Sequence, residues 1–133
     1  GMMLGVVDPT APNSWEALDS DVGYGPAIDH VGKTTISAHY WTDLARTQLR
    51  IATYNLASKV SRTRDVPEGH YIRLVSGRWG ATCELSTHGG ATSCRILDLE
   101  GTIPDAAVTV PKDAYMRIAA DVHTLLYANG RGD

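Results

Sequence analysis

Residues 37–62 contain neither glycine nor proline, so no residue there forces the backbone to break. Within this stretch Trp41, Leu44, Ala45, Gln48, Leu49, Ala52, Leu56 and Val60 recur at steps of three and four, the period of one face of an α-helix. Arg46, Arg50, Lys59 and Arg62 occupy most of the remaining circumference, and Pro67 and Gly69 follow as a stop signal. The pattern predicts a long amphipathic helix over 37–62.

Three strand candidates come next, at 70–75, 78–87 and 91–99, separated by turn signals at Ser76-Gly77 and His88-Gly89-Gly90. Two tight hairpins would set Leu74 opposite Trp79, Ile72 opposite Ala81 and His70 opposite Cys83. On the next ladder Ala81 would face Ile96, Cys83 would face Cys94, and Leu85 would face Thr92. That register collects the apolar side chains on one face, where a slip of one residue would scatter them. Leu97 and Leu99 fall on the other face. Residues 106–110 make a fourth strand, and 111–129 read as a closing helix. Pro111 suits its first turn, Gly130 its stop, and Tyr115, Ile118, Ala119, Val122, Leu125 and Leu126 form its apolar face. The fold class expected is therefore α+β: a long helix, an antiparallel three- to four-stranded meander and a C-terminal helix, with both helices on one face of the sheet.

Residues 1–36, punctuated by Pro9, Pro12, Gly23, Gly25 and Pro26, read as an N-terminal arm with one helical turn near 14–19, ahead of a single domain over 37–133. Gly1 before Met2 reads as a residue left by tag removal. The arm is acidic. Residues 1–32 hold Asp8, Glu16, Asp19, Asp21 and Asp29 with no Lys or Arg, so a net charge of −3 leaves +2 (−3 less −5) on the remainder. Such a balance does not favour a nucleic-acid or membrane partner, and no apolar run reaches membrane-spanning length. Residues 2–7 lack the basic start of a secretory signal, and with two cysteines a reducing cytoplasmic location is expected.

Several groups of residues carry chemistry. Gly32-Lys33-Thr34 resembles the end of a phosphate-binding loop, but Ala27 stands where that motif needs its first glycine, so no nucleotide or other cofactor is expected. The strand register lines up His70, Cys83 and Cys94. Two thiolates and an imidazole suit a zinc-like ion, and His70 beside Cys83 suits an activated thiol. Two small buried hydrophobes with a histidine at the sheet edge is the plainer reading and the favoured one. A cross-strand disulfide fits the geometry but not a reducing compartment. His39 and Asp43, one helical turn apart, form a second acid–base candidate. Tyr40 and Trp41 from the helix, with Tyr71, Arg73 and Trp79 from the sheet, suggest an aromatic ligand-binding cleft.

Without a catalytic constellation, the reading favoured from sequence is a non-enzymatic module that binds a small molecule or a protein and acts as a homodimer, its second sheet face (Leu97, Leu99) supplying the contact. The alternatives are a small hydrolase or lyase using His70 with Cys83 or His39 with Asp43, and a nucleic-acid-binding regulator using Arg46, Arg50, Lys59, Arg62 and Arg64 on the long helix.

Overall fold

A computed structural model describes residues 2–31, 34–112, 114–118 and 125–129. Among these residues there is no helix. Ten strands form three antiparallel sheets, and two more form a separate antiparallel pair. The α+β expectation, with its long and C-terminal helices, is overturned. The chain divides into two compact units, residues 1–66 and 67–133.

In the first unit β1 (Met2–Asp8) and β2 (Ala11–Val22) make a hairpin. The strands β3 (Tyr24–Val31), β4 (Thr35–Trp41), β5 (Leu49–Asn55) and β6 (Ser61–Asp65) follow as a four-stranded meander. The β4–β5 ladder runs without a shift from Thr35↔Asn55 to Trp41↔Leu49. Alternation along β4 and β5 therefore puts Ile36, Ala38, Tyr40, Ala52 and Tyr54 on one face. The hairpin lies over that face: Val22, Tyr40 and Ala52 are buried together, with Leu4 packed against them. On the hairpin the Trp15 ring covers Gly5, where a β-carbon would come within 2.0 Å of it.

The helix expected over 37–62 is thus β4, a loop, β5, a turn and the first residues of β6. The turns are made without glycine or proline. Asp43 accepts hydrogen bonds from the Thr47 amide (2.8 Å) and hydroxyl, closing the loop between β4 and β5. Asn55 Oδ1 accepts from the amides of Ala57 and Ser58, both at 2.9 Å, closing the next turn. Arg46 and Lys59 take the left-handed backbone conformation (φ 59° and 62°) in these two connections. Short polar side chains capping their own backbone do the work that Gly or Pro signals elsewhere. The β-branched and aromatic content of Thr35, Ile36, Tyr40, Trp41, Ile51, Thr53 and Tyr54 suits strands.

In the second unit β7 (His70–Ser76), β8 (Trp79–Glu84), β9 (Ala91–Asp98) and β10 (Ala106–Pro111) form a meander in chain order. The β8–β9 register has Ala81 opposite Ile96 and Cys83 opposite Cys94, as the turn signals imply. The first hairpin differs. Its turn is Gly77-Arg78, so Ser76 pairs with Trp79 and Leu74 with Ala81. A bulge at Arg73 then sets Ile72 opposite Thr82, Tyr71 opposite Cys83 and His70 opposite Glu84. The core holds Ala81, Cys83, Cys94, Ile96 and Val110, with Tyr71, Leu74 and Val108 against it. Leu97 and Leu99 are also buried, Leu99 covering Gly80, so the contact surface expected of them is absent.

The C-terminal helix is likewise replaced. β11 (Ala114–Ile118) and β12 (Leu125–Asn129) pair from Ala114↔Asn129 to Ile118↔Leu125. Ala119, Val122, Gly130 and the Gly32-Lys33 dipeptide lie outside the described residues. Among the described residues no helix is long and apolar enough to cross a membrane.

Candidate functional site

In the first unit a cleft of about 650 Å³ opens between the tip of the β1–β2 hairpin and the turn after β5. Its polar groups are set by the two turns. Asp8 accepts from the Thr10 amide (2.9 Å) and hydroxyl (2.7 Å), which fixes the hairpin tip. Those two bonds, with the charge of Lys59, hold the Asp8 carboxyl below the usual carboxylate range. Across the cleft the Leu56 amide donates to the Thr34 carbonyl at 2.7 Å and the Lys59 amide to the Asn55 carbonyl at 2.9 Å. Val6, Val7, Ile36 and Leu56 line the cleft, while Asp8, Glu16 and Lys59 carry its charge.

The hairpin wall is anchored by a charge network beneath it. The buried Tyr40 hydroxyl donates to Asp19 on β2, and Arg50 Nη1 donates to the same Asp19 oxygen at 3.0 Å. Arg50 Nε donates to Asp65 Oδ1 at 2.7 Å, tying in β6. Burial and the Asp19 carboxylate push the Tyr40 hydroxyl well above the ordinary phenol range, which keeps it a donor.

The sequence-derived candidates are distributed differently from their expected groupings. His39 Nδ1 pairs with Asp29 Oδ1 on β3, while Asp43 is taken up by Thr47 in the loop. Ser37, two residues before His39 on the same face of β4, is buried, and its hydroxyl has no hydrogen-bond partner, so His39 does not hold it as a nucleophile. Tyr40 and Trp41 belong to the first unit; Tyr71, Arg73 and Trp79 belong to the second. Arg73 donates to the Tyr71 hydroxyl at 3.2 Å, and Trp79 is buried. His70 meets the Thr82 hydroxyl at 3.2 Å rather than Cys83. Cys83 and Cys94 are joined in a disulfide, their Cα atoms 4.0 Å apart and both side chains fully buried. Neither sulfur is then a thiolate able to ligate a metal or attack a substrate.

Arg50 is neutralised by Asp19 and Asp65, and Arg46 stacks on the Tyr24 ring at 4.1 Å. No family model, no curated protein and no solved structure matches the chain. The site therefore rests on its geometry.

Sequence reasoning did not find Asp29 or Asp19: Asp29 meets His39 on the neighbouring strand, and Asp19 meets Tyr40 and Arg50 across two sheets, pairings that no local pattern supplies. Asp29 raises the His39 pKa above its ordinary value, by accepting its hydrogen bond and by its charge, against burial that lowers it. A group raised in this way stabilises the fold fully below about pH 6.5, its unfolded value, and loses that contribution as pH rises through the folded value. Asp29→Asn is expected to bring the His39 imidazole titration, followed by NMR, down to or below the ordinary histidine range. A titration unmoved by the substitution would remove the pair as the cause.

Proposed function

We propose that this protein is a non-catalytic binding module whose first unit takes up a small amphiphile with an apolar body and a cationic end. The observation that carries this reading is the cleft: about 650 Å³, within the range of small-molecule sites, with aliphatic walls and two carboxylates against one ammonium at its polar margin. A binding role also fits a His39–Asp29 pair to which the buried Ser37 hydroxyl is not hydrogen-bonded. The buried disulfide supports an oxidising environment for the folded chain, in place of the cytoplasmic one expected from the sequence.

Hexylammonium chloride is the probe, with hexanoate as its charge-reversed control. In amide-resolved NMR titrations the cation is expected to shift Val6, Val7 and Leu56 saturably, and hexanoate to bind at least fivefold more weakly, about 1 kcal/mol. Leu56→Arg should abolish the saturable shifts, and Glu16→Gln should weaken them. Equal binding of the two probes, or shifts that never saturate and scatter over the surface, would sink the reading.

A further inference from the structure

The outer edge of β10 is built differently from those of β6 and β3. Beyond β10 no strand is hydrogen-bonded among the described residues. Natural sheets blunt such edges with charge, proline or bulges, because a row of open N–H and C=O groups templates another strand. β6 carries Arg62, Arg64 and Asp65. β3 contains Pro26 and has two register shifts against β4. β10 has none of these devices before its final Pro111: Ala106, Ala107, Val108, Thr109 and Val110 are uncharged. Its ladder to β9 runs without a shift from Ala106↔Ile96 to Pro111↔Ala91.

The direction of the backbone groups follows from the register. The Lys112 amide donates to the Gly90 carbonyl at 3.0 Å, one rung beyond Pro111↔Ala91. Antiparallel ladders alternate with a period of two, so Val110, Val108 and Ala106 also turn their N–H and C=O groups toward β9. Ala107 and Thr109 then turn theirs outward. The neighbouring ladder has the matching parity: Cys94 opposes Cys83 in a close pair, 4.0 Å between Cα atoms, as a non-hydrogen-bonded rung requires. Val108 and Val110 pack with the core, whereas Ala107 and Thr109 are exposed.

We propose that this edge pairs with β10 of a second copy of the chain, antiparallel about a two-fold axis through Val108, joining two four-stranded sheets into one of eight strands. In that register Ala107 faces the partner's Thr109, and each pair exchanges two main-chain hydrogen bonds. Val108 faces the partner's Val108, extending the apolar face across the axis. The same small, uncharged patch serves both copies, as a two-fold interface demands. Pro111, with no N–H to give, marks the end of the ladder. The proposal does not depend on the cleft in the first unit.

Sedimentation equilibrium of the oxidised protein tests it. The wild type should approach twice 14.3 kDa at concentrations of some hundreds of micromolar. Ala107→Lys/Thr109→Lys sets like charges opposite each other across the axis and should weaken association at least tenfold. Ala107→Lys/Thr109→Glu sets opposite charges there and should keep the dimer. Both positions are exposed, so the two variants should share the wild-type circular dichroism spectrum. A wild type that stays at 14.3 kDa overturns the proposal, and so do two double variants that associate equally well or fail equally.

Discussion

A Cys83→Ala/Cys94→Ala protein is expected to be about 3 kcal/mol less stable in the second unit than the wild type. The bond joins residues 11 apart on neighbouring strands, and closing a loop of that size in the unfolded chain removes entropy worth roughly 3 kcal/mol at room temperature. The sulfurs also fill the centre of the core cluster, between Ala81, Ile96 and Val110, so truncation adds a packing loss. For a unit of this size the change corresponds to a fall in melting temperature on the order of 10–20 °C. Urea unfolding followed by calorimetry measures it. A loss below about 1 kcal/mol would show that β8 and β9 are held by their ladder alone. Because both cysteines are fully buried, mild reductant should leave the native bond intact and open it only in denaturant.

Part of this outcome was legible in the sequence. His88-Gly89-Gly90 identifies the turn between β8 and β9, and the apolar alternation of Ala81, Cys83, Cys94 and Ile96 then fixes the pairing that brings the sulfurs together. The first hairpin was not legible to the residue. Both Ser76-Gly77 and Gly77-Arg78 are acceptable turn dipeptides, and nothing in Arg73 signals the bulge; the changed turn and the bulge together move His70 from Cys83 to Glu84. The long helix failed for a different reason. Leu44, Leu56 and Val60 fit a helical stripe by spacing, yet all three are exposed in the connections between strands. The breaks lie at Asp43 and Asn55, whose capping bonds leave no mark in a search for glycine and proline. The cleft joins the turn after β5, inside the expected helix, to the β1–β2 hairpin, inside the expected arm. Its residues come from four separate stretches of chain, which no local pattern connects.

The second large effect is expected at Asp98, and it carries a pH signature. Asp98 is buried and receives Arg78 through both oxygens, Nε to Oδ1 at 2.7 Å and Nη2 to Oδ2 at 2.8 Å. It also accepts from the amides of Glu100, Thr102 and Ile103 at 2.9–3.0 Å and from the Thr102 hydroxyl at 2.8 Å. One carboxylate thus organises the whole connection after β9 and keeps Arg78 stacked over Trp79 at 4.7 Å. Removing one partner of a buried ion pair costs about 3–5 kcal/mol. Arg78 keeps partial access to water, so Asp98→Asn should cost about 2–4 kcal/mol at neutral pH. Arg78, the Thr102 hydroxyl and the loop amides hold the Asp98 carboxyl far below the usual range. With the folded pKa depressed, the unfolded chain binds the proton more readily, so stability rises with pH through this interval. The contribution is complete above about pH 3.9, the unfolded value, and is lost as pH falls toward the folded one. Urea unfolding at pH 7 and at pH 3 should therefore show a wide stability gap for the wild type and a narrower one for Asp98→Asn. An unchanged gap would assign the acid sensitivity to other carboxylates and leave Asp98 a packing residue.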